Sequence, residues 1–418
     1  MKRNLITQIR NEWHDNVWIV VGLTLVGLAV WFFGSTLSTE MINYFIPVGF
    51  DEENVYVLSV ENIDRNAADY LEYGENEYTE RSNDLRSLIN NIRKSSNVES
   101  AAFSRNATPY LLSYYGGQLR IMSDAPDTIG YYMNTRWASP DIADVLLLRS
   151  VTGNDSKFLK DKLAEGEILV GTTEIISNSY NGYRKHSDEE MLRSYVIINS
   201  DSATRYHVAD IIENIRRSSF DGITGGTCLI PIDESQNIGA QEILVRVKPG
   251  RGAKFMEEFE STPAMNRARN TFLSNMRSLR DLKESVERGS VISVRLNILE
   301  ISFMILIIFL GLLGTFWFRM QQRVSEIAIR RVCGATRGDI FRRAIGEGLY
   351  LLVIAAVFIS IMGWAYVIKI YEGPLSYTNL LYCEIMTLCL MAAGIVLSIS
   401  YPAWKAMRIE PAVAVKDE

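Results

Sequence analysis

The chain is poor in the side chains that catalysis usually needs. Its three histidines, His14, His186 and His207, are scattered over 418 residues, too few and too far apart for a catalytic zinc site. It contains no H-E-x-x-H, C-x-x-C or G-x-S-x-G pattern. The glycine-rich "GITGGT" at 222–227 is not followed by Lys-Ser or Lys-Thr, and no Walker A sequence occurs, so no phosphate loop is expected. His186 sits in "NGYRKHSDEE" and reads as part of a solvated loop. No catalytic residues, bound metal or directly held cofactor are expected. Any energy the protein uses has to come from a partner. Cysteine is scarce too: of four, only Cys228 lies between the first and second long apolar runs. That segment cannot hold an internal disulfide, so its fold has to rest on its own core.

What the chain has is apolar length. It is 48% hydrophobic and 22% charged, with a mean hydropathy of +0.03, and that average hides two unlike parts. Four runs are almost purely apolar: 17–33, 301–318, 349–368 and 385–401. Each approaches the roughly 20 residues that cross a hydrocarbon core of about 30 Å. Trp13, Trp18, Trp31, Trp317, Tyr371, Tyr382 and Trp404 mark their ends as an interfacial aromatic belt would. The first run is followed only by "FFGSTLSTE", a poor cleavage site, so it reads as a retained anchor. The expected fold is a membrane protein of four transmembrane α-helices, with a large α+β extracytoplasmic domain inserted between helices 1 and 2.

Basic residues set the orientation. Lys2, Arg3 and Arg10 precede span one, and Lys405, Arg408 and Lys416 follow span four. The loop between spans two and three carries Arg319, Arg323, Arg330, Arg331, Arg337, Arg342 and Arg343, whereas "YEGPLSYTN" between spans three and four has no basic residue. Both termini and the middle loop are therefore expected to be cytoplasmic, with 34–296 outside. That outer segment holds 29 Lys and Arg against 38 Asp and Glu, a net of −9, which argues against a nucleic-acid partner.

The expected division is 1–34 as N-terminus and span one, 35–285 as the outer domain, and 286–418 as stalk, spans and tail. "NVYVLSVENI" (54–63) reads as a strand, 62–81 as a Tyr-rich insertion or loop, 81–95 as an amphipathic helix and "NVESAAFS" (97–104) as a strand. "EILVRVKPG" (242–250) and the following "GAKFMEEFEST" repeat the strand–helix pattern. Between the two units, 110–235 reads as a mostly β subdomain with short strands at 167–172, 195–200 and 228–232. From Thr271, the spacing of Phe272, Met276, Leu279, Leu282 and Val286 predicts a helix running into span two. It would be either a stalk that transmits motion or a helix that overshoots the bilayer. Glu300 and Glu384 abut the outer ends of their spans. Their carboxylates would either reach the interface or gate a vestibule in the bundle.

The stretch "SEIAIRRVCGATRGDIF" (325–341) joins spans two and three. Val324, Ile327, Ala328 and Val332 fall on one arc of a helix, and Arg323, Glu326 and Arg330 on another. Glu326 and Arg330 are four apart in the favourable order. Gly334 is a helix stop, Ala335 follows it in the corner, and Thr336 with Asp339 makes a capping-box pattern for a second helix. A basic loop lying on anionic lipid would account for the arginines. It accounts less well for the tight corner and for Glu326 among them.

"EIAIRRVCGATRGDI" resembles the signature of the MacB/FtsX-type ABC transporter permeases, and "YPAWKAMRIEPAVAVKDE" resembles the end of such chains. The layout is similar too: one span, a large outer domain, then three spans. "ITQIRNEWHDNVWIV" looks like Bacteroidetes members of the family. Cys333 stands where the family commonly has Leu. The resemblance implies a coupling helix at about 323–333 that docks on a separate P-loop ATPase, since no ATPase is fused to this chain. ATP and magnesium would be held by that ATPase. Glu326 and Arg330 would make polar contacts with it, Ile327 and Val332 would fill its groove, Arg323 and Arg331 would belong to the same docking helix, and Gly334 would set the corner. It further implies a second permease copy, identical or different, packed through spans one and two in the bacterial inner membrane, with a periplasmic adaptor or outer-membrane channel as a further partner.

Two functions follow from the resemblance. One is ATP-driven efflux or extraction of a periplasmic substrate such as a peptide, drug or lipoprotein. The other is signal transduction that activates a periplasmic partner such as a cell-wall hydrolase. A membrane-anchored enzyme has least support, because no catalytic constellation is present.

Overall fold

The computed structural model describes residues 13–111, 116–122, 129–171, 188–198, 205–221, 226–236, 238–370 and 377–406. His186, the glycine-rich 222–225, the 371–376 loop and the tail from 407 lie outside them. The chain divides into two compact units: Met1–Ile42 with Ser290–Glu418, and Asn43–Gly289.

In the first unit, four described helices are long and apolar enough to cross a membrane. They belong to α1 (Trp13–Phe45), α8 (Leu279–Gln322), α10 (Arg337–Ile370) and α11 (Tyr377–Ala406). This is a multi-pass membrane protein. The core of the unit gathers Val20, Leu23 and Trp31 of α1, Ile308, Leu312 and Phe316 of α8, Leu351, Ala355 and Ile359 of α10, and Met391, Ile395 and Ile399 of α11. Gly27 permits the close approach of α1, because a Cβ there would lie 2.3 Å from Ile359 Cδ1. Large apolar side chains on the other faces, such as Trp18, Phe303, Val353 and Ile385, are exposed, as lipid-facing residues are in the absence of a bilayer.

The second unit is the α+β domain inserted after the first span. Strand β1 (Val55–Asn62) is followed by α2 (Glu77–Arg93) and β2 (Val98–Arg105). Much later, β9 (Glu242–Val247) leads through α6 (Gly252–Ser261), α7 (Pro263–Asn266) and the short β10 (Arg267–Ala268) to β11 (Thr271–Ser278). Their order in the sheet is β10-β11-β1-β9-β2, and the pairings are antiparallel. Two strand–helix–strand units thus interlock in the ferredoxin-like manner. Leu85, Leu88, Ile89 and Ile92 of α2 and Phe255 and Phe259 of α6 cover one face, against Leu58, Phe103, Ile243 and Val245. The other face, with Val57, Ala102 and Leu244, meets α3 (Ile142–Leu146), α4 (Ser156–Ala164) and the first turn of α8. Alternate residues of β9 serve the two faces, as the period of two requires.

Spliced between β2 and β9 are β3 (Gly116–Met122), β4 (Ile129–Ala138), β5 (Ile168–Gly171), α5 (Asp188–Leu192), β6 (Tyr195–Ile198), β7 (Tyr206–Ile212) and β8 (Thr227–Pro231). The strands run β4-β3-β6-β7-β5-β8, and β8 pairs back with β4. The mostly β region is therefore a closed six-stranded barrel, with parallel pairings at β5–β7 and β4–β8. Closure removes free edges. Met133, Ile168, Val170, Val196, Val208, Cys228 and Ile230 fill its core. Burial pushes the Cys228 thiol up to about 12, so it is an inert packing residue.

Two readings need correction. The helix expected from Thr271 begins only at Leu279; Thr271–Ser278 is a strand. Spacings of four and three suit a helix, but Thr271 and Leu273 are buried as alternate residues of a strand paired with Asn62 and Val60. Asn275 has φ +49 at the irregularity opposite Val57–Ser59, a bulge conformation that no helix accommodates. The helix expected over 81–95 begins at Glu77, so the 62–81 loop ends at Asn76, and that loop is tied down along its length. Asn270 exchanges hydrogen bonds with the backbone of Leu71 (2.9 and 2.6 Å), Arg269 pairs with Glu80 and lies over the Tyr73 ring, and α2 starts at Glu77 behind an Asn76 cap.

Candidate functional site: the short helix between spans two and three

Val324–Val332 forms α9, and local chemistry explains both of its ends. At the C-terminus, Ala335 N–H donates to Arg330 O (3.0 Å) and Gly334 N–H to Arg331 O (3.1 Å). These are the paired bonds of a Schellman motif, and Gly334 supplies its left-handed residue at φ +96. Next, Thr336 N–H donates to Asp339 Oδ2 (3.0 Å) while Asp339 N–H donates to Thr336 Oγ1 (3.2 Å). This reciprocal capping box starts α10. The corner is thus fixed by residues within ten positions of one another.

The faces of α9 are assigned less locally. Ile327 (6% exposed) and Ala328 are buried, Ile327 in the core of the membrane unit. Ile327 therefore cannot fill a groove on a partner, contrary to the role the resemblance implies for it. Val332 (71% exposed) and Ile329 (57%) face outward. The single apolar arc drawn from the sequence left out Ile329, although it lies three residues from Val332, one turn away on the same outer surface. Cys333, Gly334 and Thr336 continue the exposed tip. Glu326 and Arg330 are half-buried and pair with each other along the helix. Arg331 lies in the last turn, where a cation suits the helix dipole.

Behind α9, Arg323 faces inward. Its Nη1 lies 3.0 Å from Glu347 Oε2, and Arg319 Nη1 lies 2.9 Å from Glu347 Oε1. One guanidinium from the last turn of α8 and one from Arg323, the residue that joins α8 to α9, thus share one buried carboxylate of α10. The sequence reading counts both arginines among the loop charges, places Arg323 on the docking helix and assigns no role to Glu347, whereas the structure turns Arg323 inward. The available signal was an acid at the edge of an apolar run, "IGEGLYLL", where an unpaired charge is costly. Arg323, Glu326, Arg330, Asp339, Arg343 and Glu347 line a cavity of about 420 Å³ between α9 and its neighbours. Its lining balances three cations with three anions, which favours no ligand of one sign.

The boundary acids differ from each other. Glu384 on α11 accepts from Trp364 Nε1 (2.9 Å) and from Ser360 Oγ, both on α10. It is held between two spans rather than turned out to the interface. Glu300 is half-buried within α8. Among the described residues, no group of three His, Cys, Asp or Glu could hold a metal ion.

Residues 298–411 match the family described as FtsX-like permease C-terminal. The match covers the last three long helices, the first of them from residue 298, and the short helix between the first two of them. The matched segment contains α9, its corner, the Arg319–Glu347–Arg323 cluster and Glu384. The chain is also similar to the periplasmic region of MacB from Actinobacillus actinomycetemcomitans, at 14% identity over 57% of this chain and 94% of that one, with a TM-score of 0.33. It is similar to the extracellular domain of the noncanonic ABC-type transporter YknZ from Gram-positive bacteria, at 11% identity over 52% of this chain and 100% of that one, with a TM-score of 0.30. No curated protein matches the chain.

Proposed function

We propose that the chain is the permease subunit of a MacB/FtsX-type ABC transporter. It would sit in a bacterial inner membrane with both termini cytoplasmic and the α+β domain periplasmic. A separate P-loop ATPase binds ATP and magnesium and docks on α9. A second permease copy completes the assembly. The chain itself does no chemistry; it converts ATP-driven movement at α9 into movement of the periplasmic domain, for efflux or extraction of a substrate such as a peptide, drug or lipoprotein.

The observation that carries this reading is the build of α9 inside an FtsX-like domain. One side is anchored in the bundle by Ile327, and a stiff corner presents Ile329, Val332 and Thr336 outward. A helix that only lay on lipid would need no such corner. A shaped, mixed-charge knob fits a protein groove better. The test is affinity capture of the full-length protein in mild detergent, followed by mass spectrometry, for wild type and an Ile329→Asp/Val332→Asp variant. A P-loop ATPase recovered with wild type and lost with the variant supports docking at α9. Its absence from a folded wild type sinks the ABC reading.

A further inference from the structure

The connection between β7 and β8 of the barrel does more than close a turn. Within the inserted domain it reaches the residues where both of its long flanking helices begin or end. The last residues of α1, from Asn43, and the first of α8, up to Gly289, belong to that unit.

Arg216 is buried in this connection. Its Nη1 donates to Asn43 O and Ile46 O, both at 2.7 Å, and its Nη2 to Ser219 O (2.9 Å) and Asp221 O (2.5 Å). The carbonyls at the end of α1 carry the negative end of the dipole, and Asn43 O otherwise has only the N–H of Ile46, at 3.2 Å. One guanidinium adds a charged donor to both while also closing the loop it belongs to. Asn43 Nδ2 answers by donating to Phe220 O at 3.0 Å, and the Tyr44 and Phe220 rings meet at 5.3 Å. On the other side, the buried carboxylate of Glu287 on α8 accepts Ser219 N–H at 2.6 Å and Ser218 Oγ at 3.3 Å. The same short loop is tied to the barrel, where Thr227 Oγ1 donates to Asn214 Oδ1 (2.5 Å) and Ile215 O (3.2 Å). A plain helix cap would engage one helix end. This loop holds two helices and a barrel through buried charge-assisted hydrogen bonds, which are stronger than neutral ones.

We propose that residues Arg216–Asp221 are the positioning element that passes movement of α1 and α8 into the barrel, with Arg216 and Glu287 as its two links. The proposal rests on the ATP-coupled reading above. Its test uses the full-length protein with its ATPase in lipid nanodiscs. Spin labels are placed at the exposed Tyr195→Cys on the barrel and Met256→Cys on α6, with Cys333 and Cys389 replaced by Ser. Distances are read without nucleotide and with ATP trapped by vanadate. Wild type is expected to show a nucleotide-dependent shift. Glu287→Ala loses most of that shift while ATP hydrolysis and the melting temperature persist. Glu287→Gln, which keeps an acceptor for Ser219 N–H, retains it. A full shift in a folded Glu287→Ala protein overturns the proposal. Where Glu287→Ala does not fold, Arg216→Lys, which keeps the charge but loses the fork, is read in the same way, and a full shift there overturns it equally. If wild type binds and hydrolyses ATP yet shows no shift, the proposal fails although α9 docking stands. If no ATPase binds at all, the underlying reading fails and takes the proposal with it.

Discussion

Glu347 and Arg319 meet at 2.9 Å with both side chains almost fully buried, and Arg323 shares the second oxygen of the same carboxylate. The cluster locks the end of α8 to α10 directly behind α9. Removing the shared anion strands two cations in a low-dielectric site, whereas replacing the whole cluster by apolar residues removes the penalty. Glu347→Ala is expected to cost about 3–5 kcal/mol, read as a lower melting temperature in detergent. A triple Arg319→Met/Arg323→Met/Glu347→Leu variant should recover most of it. An unchanged melt for Glu347→Ala would show the pair to be solvated in the membrane.

The two apolar positions Ile327 and Ile329 should separate stability from partner capture. Ile327→Ala opens a cavity in a packed core and is expected to cost about 2–4 kcal/mol. Ile329→Ala sits on an exposed surface and should stay within about 0.5 kcal/mol of wild type, while weakening ATPase capture. Thermal melts and pull-downs on the same preparations check both. Equal melts with unequal capture in the opposite sense would reverse the assigned faces.

The corner can be loosened in steps. Thr336→Ala removes half of the reciprocal cap and is expected to cost about 1 kcal/mol. Gly334→Ala forces a side chain into the left-handed region at φ +96 and is expected to cost about 1–2 kcal/mol. Both should raise amide exchange locally at 333–340 and leave the inserted domain unchanged. A global change in exchange would contradict a purely local corner.

Glu242 gives the inserted domain a pH dependence. Burial pushes its carboxyl up to about 7 from its ordinary 4.5, opposed only in part by hydrogen bonds from Ser104 and Thr108. The folded state therefore favours the protonated form. This contribution is fully present below about pH 4.5 and is lost as pH rises through about 7. The difference amounts to an order of 3 kcal/mol. Glu242→Gln should flatten the dependence of melting temperature on pH between 5 and 8, and should be more stable than wild type at pH 8. A wild-type slope that survives the substitution would place the titration elsewhere.

The parts legible in the sequence were those set by neighbours along the chain. Apolar run length marked all four spans, because crossing a hydrocarbon layer depends on length and composition alone. The corner after α9 was readable because Gly334, Thr336 and Asp339 act on backbone groups within a turn. Strands β1, β2 and β9 and the start of α6 showed through their periodicity.

What needed the tertiary structure was settled by residues far apart. Periodicity shows that α9 has an apolar side, but it does not say whether the bundle or a partner covers it: Ile327 reads as partner-facing yet is buried, and Ile329, left off the arc, is exposed. Glu347 finds its arginines 24 and 28 residues earlier only once α8 and α10 have packed. Thr271–Ser278 became a strand because β1 offered it an edge, against a spacing that suited a helix equally well. Barrel closure through β4–β8, and the clamp of Arg216 on Asn43 across 173 residues, depend on chain crossings that no local pattern records. The sequence by itself determined where the chain enters the membrane and how it turns there. Burial and long-range pairing decided which faces are free, which charges are shared and how the sheet and barrel of the inserted domain close, because those energies exist only after distant segments have excluded water from each other.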